Sequence, residues 1–172
     1  MKTIKNTLYV AVLCLSVVFT GCKKSDDGGG GTVPGSGTMS AKVDGANFSG
    51  DVVALATEIT AGGVTTVRLQ ASDATGKAIL ILINAFSGVG TYEFSTASSI
   101  AHVATYTEAN ISNPTATKSW VAPYAGSGLV GQVAVSEKTA TAIVGTFNFS
   151  GKEQNGTTMK AITEGSFNLN FQ

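Results

Sequence analysis

Residues 140–171 decide the fold and read ATAIVGTFNFSGKEQNGTTMKAITEGSFNLNF. Two parts of this stretch, Gly145–Phe149 (GTFNF) and Gly165–Phe171 (GSFNLNF), alternate apolar residues with asparagine, threonine or serine. A period of two places the apolar side chains on one face of a β-strand and the polar ones on the other. We therefore predict two long, adjacent antiparallel strands, Ala140–Phe149 and Met159–Phe171, that pack against one face of a core.

Turn residues and β-branched runs continue this pattern towards the N-terminus. Asp44-Gly45 and Gly62-Gly63 suit tight turns because these residues tolerate positive φ, and Asn155-Gly156 predicts a type I′ turn. Ala78–Ile83 is apolar at every position, so we expect a central strand covered on both faces, or the most buried strand of a sandwich. The other predicted strands are Met39–Val43, Ala46–Ser49, Val52–Ile59, Val64–Ala71, Thr91–Phe94 and Leu129–Ser136.

Composition agrees with an exported, all-β protein. Charged residues make up only 13% of the chain, and the net charge is zero. This balance does not favour nucleic acid as a partner. Residues 39–172 are enough for one domain, which we predict to be an antiparallel β-sandwich of about 8–10 strands.

The N-terminus has the features of an export signal. Lys2 and Lys5 precede the apolar stretch Leu8–Phe19, which is shorter than the roughly 20 residues that a membrane-spanning helix needs. Residues 1–21 are therefore predicted to be a signal peptide that is removed.

Cys22 follows Phe19-Thr20-Gly21, and this sequence resembles the lipobox of bacterial lipoproteins. The resemblance implies that Cys22 is acylated and becomes the new N-terminus, and three acyl chains anchor a protein durably to a membrane. An ordinary signal peptide followed by an incidental cysteine is the alternative. The other cysteine, Cys14, lies in the predicted signal peptide, so the mature chain would have no disulfide and no cysteine metal site.

The five residues after Cys22 are Lys23, Lys24, Ser25, Asp26 and Asp27. They resemble the short export signal of Bacteroidota lipoproteins, which implies an outer-membrane location at the cell surface. A solvated charge run, and the periplasmic face of the outer membrane, are the alternatives. Residues 28–38 contain only Gly, Ser, Thr, Val and Pro, which predicts that residues 22–38 form a lipidated flexible tether.

Three further segments carry a family resemblance: MSAKVDGANFSG at residues 39–50, GTFNFSG at 145–151 and ITEGSFNLNF at 162–171. Together with the lipobox and the tether, they are similar to small β-sandwich lipoproteins of Bacteroidota that are classed as domains of unknown function. The resemblance implies a fold and a location, and it carries over no catalytic residue.

Candidate catalytic residues are few. His102 is the only histidine, and no HExxH or paired-histidine spacing accompanies it, so we expect no metal site, no cofactor and no site role for this residue. We expect no enzymatic activity; an envelope carbohydrate-active hydrolase that uses an unrecognised carboxylate pair is the alternative. The acidic residues of residues 39–172 are scattered, mostly in turns or at strand ends: Asp44, Asp51, Glu58, Asp73, Glu93, Glu108, Glu137, Glu153 and Glu164.

Lys118–Tyr124 (KSWVAPY) contains the only tryptophan of the chain and is predicted to be a loop. Trp120 and Tyr124 are candidate ligand-binding residues, because exposed aromatic rings stack on sugars or anchor protein partners. Alternatively, Trp120 closes one end of the sandwich. The sequence therefore predicts a lipid-anchored, non-catalytic binding or assembly module of the cell envelope, with a glycan or an envelope protein as partner.

Overall fold

The structure, a computed structural model, describes residues 37–172. This part of the chain is all-β, which confirms the predicted fold class. It contains no helix that is long and apolar enough to span a membrane. The strands are β1 Thr38–Val43, β2 Ala46–Ser49, β3 Val53–Ala61, β4 Val64–Ser72, β5 Lys77–Ile83, β6 Gly90–Ser95, β7 Val103–Glu108, β8 Lys118–Ala122, β9 Leu129–Lys138, β10 Ala142–Glu153 and β11 Met159–Asn170.

All eleven strands belong to one antiparallel sheet. Nine of them follow the order β2-β1-β11-β10-β8-β7-β5-β4-β3, and β6 and β9 form a branch. The sheet forks at β10: its last two residues pair with β8, while its first half pairs with β9, which in turn pairs with β6. The sheet also curls, because the backbone N–H groups of Gly37 and Gln172 donate to the carbonyl oxygens of Ala54 and Ala56 in β3. The two layers of this sandwich-like fold are therefore parts of one continuous sheet.

The repeated Gly-x-Phe pattern has a direct structural reason. Gly145 in β10 lies opposite Phe167 in β11, and Phe147 lies opposite Gly165. A Cβ atom at Gly145 would lie 2.6 Å from the ring of Phe167, and one at Gly165 would lie 2.6 Å from the ring of Phe147. Each phenylalanine ring therefore fills the space that the opposite glycine leaves, and the two rings pack at a centroid distance of 6.3 Å.

The tight turns at Asp44-Gly45 and Gly62-Gly63 are confirmed, and all four residues have positive φ. The predicted type I′ turn at Asn155-Gly156 is wrong, because neither residue has positive φ. The backbone N–H of Gln154 instead donates to the backbone carbonyl oxygen of Ser119 in β8. The connection between β10 and β11 is therefore a wider loop than a type I′ turn.

The core lies on the inner face of the curled sheet, where it includes Phe94, Phe149 and Ile81. Phe94 from β6 meets Phe149 from β10 edge to face, at a centroid distance of 6.0 Å. β5 is a central strand of the sheet, between β4 and β7. It is not covered on both faces: Ile79, Ile81 and Ile83 are buried, whereas the outward side chains Leu80 and Leu82 are half-exposed.

The one-sided burial of β5 predicts unequal effects of two neighbouring substitutions. Ile81→Ala removes a fully buried side chain and should lower the free energy of unfolding by about 2–5 kcal/mol. Leu82→Ala, the matched control on the outer face, should cost about 1 kcal/mol. Urea unfolding of both variants measures the difference, and equal losses would mean that both faces of β5 are covered.

Candidate functional site

Five side chains at one end of the sheet form a charged and aromatic group, called here the distal cluster: Asp44, Tyr106, Glu108, Trp120 and Lys160. Lys160 Nζ lies 3.1 Å from Asp44 Oδ2 and 3.4 Å from Glu108 Oε1. The same ammonium lies 5.2 Å from the centroid of the Trp120 ring, within cation–π range. One lysine therefore contacts two carboxylates, whose two negative charges its single positive charge only partly offsets, and it also lies over an indole.

The antiparallel order β7-β8-β10-β11 brings these residues together. In this order the last residue of β7, Glu108, and the second residue of β11, Lys160, lie at the same end of the sheet. Asp44 lies in the turn after β1, where its backbone N–H donates to the carbonyl oxygen of Ala161 at 2.9 Å. Its Oδ1 accepts a hydrogen bond from the backbone N–H of Ala161 at 2.9 Å. This reciprocal pair fixes the carboxylate of Asp44 beside Lys160.

The floor of the distal cluster is aromatic. Tyr106 in β7 and Trp120 in β8 are paired across the two strands, and their ring centroids are 5.8 Å apart. Both residues are buried. The hydroxyl of Tyr106 donates to Glu108 Oε1 at 3.0 Å, so the cluster joins the core to the surface.

These contacts shift the pKa values of three residues of the distal cluster, Asp44, Lys160 and Tyr106. The backbone hydrogen bond from Ala161, followed by the contact with Lys160, lowers the pKa of Asp44. The hydrogen bond with Asp44 and the charge of Glu108 raise the pKa of Lys160. Burial, followed by the hydrogen bond to Glu108, raises the pKa of Tyr106. Asp44 and Lys160 are therefore charged, and Tyr106 is protonated.

The convergence of Asp44 and Glu108 was not predicted, because the sequence gives no sign that a turn after β1 meets the end of β7. A glycosidase requires one carboxyl group with a raised pKa to donate a proton. The pKa of Asp44 moves in the opposite direction, and both carboxylates face a lysine. The geometry therefore suits an ion-paired binding surface better than a general acid.

A second hydrogen-bonded chain extends from Trp120. Its Nε1–H donates to Thr158 Oγ1 at 3.0 Å, and the Thr158 hydroxyl donates to Glu153 Oε2 at 2.6 Å. Lys118 Nζ lies 3.1 Å from Glu153 Oε1. The hydrogen bond from Thr158, followed by that from Lys118, lowers the pKa of Glu153.

The prediction that Lys118–Tyr124 is a loop is wrong over Lys118–Ala122, which forms β8. This short segment is a strand because it pairs with β7 on one side and with β10 on the other. Trp120 is only 3% exposed, so its indole belongs to the core and is not presented for stacking. Of the two interpretations of Trp120, its burial fits the one that places it in the sandwich.

Tyr124 follows β8 and lies at an open groove, called here the Tyr124 groove. Lys152 Nζ lies over the Tyr124 ring at 6.0 Å from its centroid. The groove has a volume of about 300 Å³. Its lining residues are Val121, Pro123, Tyr124, Lys152, Glu153, Gln154 and Gly156.

His102 lies just before β7 and is 8% exposed. Its ring meets that of Tyr92 edge-on at 5.3 Å, its Nδ1 atom has no hydrogen-bond partner within the described chain, and burial lowers its pKa. Within residues 37–172, no three His, Cys, Asp or Glu side chains form a group that would hold a metal ion.

The residues predicted to carry the anchor and the export signal, Cys22 and Lys23, Lys24, Ser25, Asp26 and Asp27, lie outside the described residues. The same holds for the predicted signal peptide and for the tether up to residue 36. Their roles stay predictions from the sequence.

One protein family, described as a domain of unknown function (DUF6252), matches residues 36–169. The match covers most of the chain, and the chain therefore belongs to this family. No curated protein and no solved structure matches the chain.

The lowered pKa of Asp44 predicts how stability depends on pH. Because folded Asp44 binds a proton more weakly than unfolded Asp44, it stabilises the fold above its unfolded pKa of about 3.9, and this contribution is lost as the pH falls through the lower folded value. Asp44→Asn preserves the turn, since asparagine tolerates positive φ. This variant should be less stable than the wild type at pH 7 and should lose less stability on acidification.

Urea unfolding midpoints between about pH 7 and pH 2 measure this effect. Asp51→Asn, which changes an exposed carboxylate outside the distal cluster, is the matched control. Identical pH profiles for the wild type and Asp44→Asn would contradict the assignment.

Proposed function

We propose that this member of the DUF6252 family is a lipid-anchored, non-catalytic binding module of the bacterial cell envelope. The proposal joins the lipobox-like sequence at Cys22 to the geometry of the domain that follows it. Cys22 would supply the anchor, and the domain would present its binding surface to a glycan or an envelope protein.

The observation that carries this proposal is the position of the distal cluster relative to the start of the domain. The chain enters the sheet at Gly37, next to Ala54, and Thr38 lies opposite Asn168 in β11. Lys160 lies eight residues before Asn168 on the same strand, so about 26 Å separate the two points. A domain anchored at its N-terminus would therefore carry the distal cluster at the end far from its attachment.

The chemistry of this end supports binding. The distal cluster and the chain of contacts to Glu153 place paired charges and hydroxyl groups beside the buried rings of Tyr106 and Trp120, and such charges and hydroxyl groups recognise polar ligands. In both groups the carboxylates contact lysines at 3.1 to 3.4 Å, and Glu153 also accepts a hydrogen bond from the Thr158 hydroxyl at 2.6 Å.

An envelope hydrolase is the second candidate, and the meeting of Asp44 and Glu108 on Lys160 is the observation that favours it. Such an enzyme would lose its activity when either carboxylate is replaced. The lowered pKa of Asp44 and the contact of both carboxylates with Lys160 favour the binding role.

The anchoring step predicts a difference between two cysteine variants. In cells fed an alkyne-labelled fatty acid, the wild type and Cys14→Ser should incorporate the label, because Cys14 would be removed with the signal peptide. Cys22→Ser should incorporate none, because it lacks the thiol that is acylated. Label in Cys22→Ser, or none in the wild type, would contradict the proposed anchor.

The location predicts the outcome of protease treatment of intact cells. A domain at the cell surface should be degraded while a soluble periplasmic marker stays intact, and blotting for both proteins measures this. Protection until the outer membrane is permeabilised would place the domain on the periplasmic face instead.

A further inference from the structure

The Tyr124 groove lies on the outer side of the seam between β8 and β10. Val121 and Lys152 are directly paired across that seam, and both are partly exposed. Pro123 and Tyr124 continue the wall formed by β8, while Gln154 and Gly156 continue the wall formed by β10. Three of the seven lining residues therefore lie in paired strands, and the other four lie in the segments that directly follow those strands.

Lys152 lines the groove and has no anionic partner. Within residues 37–172, Lys42, Lys118, Lys138 and Lys160 all form ion pairs, whereas Lys77 and Lys152 form none. Of these two, only Lys152 lines the Tyr124 groove. The carboxylate next to it in sequence, that of Glu153, is already held by Lys118 and Thr158. The ammonium of Lys152 is therefore available to an anionic group that enters the groove.

The present contact of Lys152 is weak. Its Nζ lies 6.0 Å from the centroid of the Tyr124 ring, at the outer limit of a cation–π interaction. A carboxylate offers this ammonium a stronger, charge-assisted hydrogen bond. If Lys152 turns towards such a group, the face of the Tyr124 ring becomes free.

We propose that the Tyr124 groove binds a carboxylated sugar residue of an acidic polysaccharide, and this inference rests on the binding role proposed above. Lys152 pairs with the sugar carboxylate. The ring of Tyr124, with Pro123 and Val121, packs against the apolar face of the sugar ring. Gln154 supplies an amide that donates to and accepts from sugar hydroxyl groups.

Size and the unpaired ammonium of Lys152 favour this ligand class, and the other charged group of the lining, the Glu153 carboxylate, is held by Lys118 and Thr158. A volume of about 300 Å³ lies at the lower end of ligand pockets, which suits one or two sugar residues of a chain that continues through the open ends. An acidic peptide is the competing ligand, but acidic motifs are usually bound by clusters of arginine. The groove has one lysine and no arginine among its lining residues.

The test uses the full-length mature protein in detergent, titrated calorimetrically with oligomers of galacturonate, glucuronate and mannuronate. At least one of these uronates should bind, its carboxyl-reduced neutral counterpart should bind about tenfold more weakly, and added salt should weaken the uronate binding. Lys152→Gln and Tyr124→Ala should each weaken that binding about tenfold or more.

Lys138→Gln is the matched control, because Lys138 also lies over an aromatic ring, that of Phe171 at 5.2 Å, but is not among the residues that line the groove. It should bind the uronate as the wild type does, and thermal unfolding verifies that all three variants are folded. Equal binding of the neutral counterpart, or unchanged binding by Lys152→Gln, would overturn the proposal. Equal or tighter binding of an oligoglutamate peptide would overturn it in favour of a peptide ligand.

Different results would contradict the proposed ligand and the proposed anchored binding role. Absence of binding to every uronate, in a protein that is acylated and exposed on cells, would overturn the assignment of the ligand alone. A protein that is not acylated and yet binds a uronate through Lys152 would overturn the envelope role and leave the groove intact.

Discussion

The reciprocal packing of Gly145 against Phe167, and of Phe147 against Gly165, is the constraint on which the rest of the structure depends. It fixes the register of β10 on β11, since a shift by one residue would turn both rings to the other face of the sheet. β10 then pairs with both β8 and β9, and β11 pairs with β1. The residues just after β11 and just before β1 hydrogen-bond to β3, so the curl of the whole sheet follows from this one pair of strands.

The site follows from the same register. Because β10 ends and β11 begins at the distal end, Glu153 and Lys160 lie beside the ends of β7 and β8, which contribute Glu108 and Trp120. The Asp44 turn reaches the same place because β1 pairs with β11. Charged residues that are distant in sequence therefore meet at the end of the sheet opposite to the one where Gly37 enters.

Local patterns predicted most of the fold, because hairpin strands and their turns are encoded by neighbouring residues. The alternation around Phe147 and Phe167 predicted the last two strands, and the glycine turns predicted the first hairpins. Contacts between distant segments were not predictable: the meeting of Asp44, Glu108 and Lys160 depends on strand order, which periodicity does not specify. For the same reason Trp120 was placed in a loop, since β8 is short and becomes a strand only through its two neighbours. Tyr124 is a candidate from its residue type alone and stays a prediction, whereas Lys152 had no signal in the sequence.

These features describe a domain that is held together by burial, and we propose that its N-terminus anchors it and that the unpaired Lys152 takes part in recognition. The central claim is that the chain begins, in its mature form, at an acylated Cys22. Mass spectrometry of the intact protein extracted from membranes tests this claim most directly. The mass should correspond to a chain that starts at Cys22 and carries the added mass of its acyl groups. A different N-terminus, or an unmodified thiol at Cys22, would contradict it.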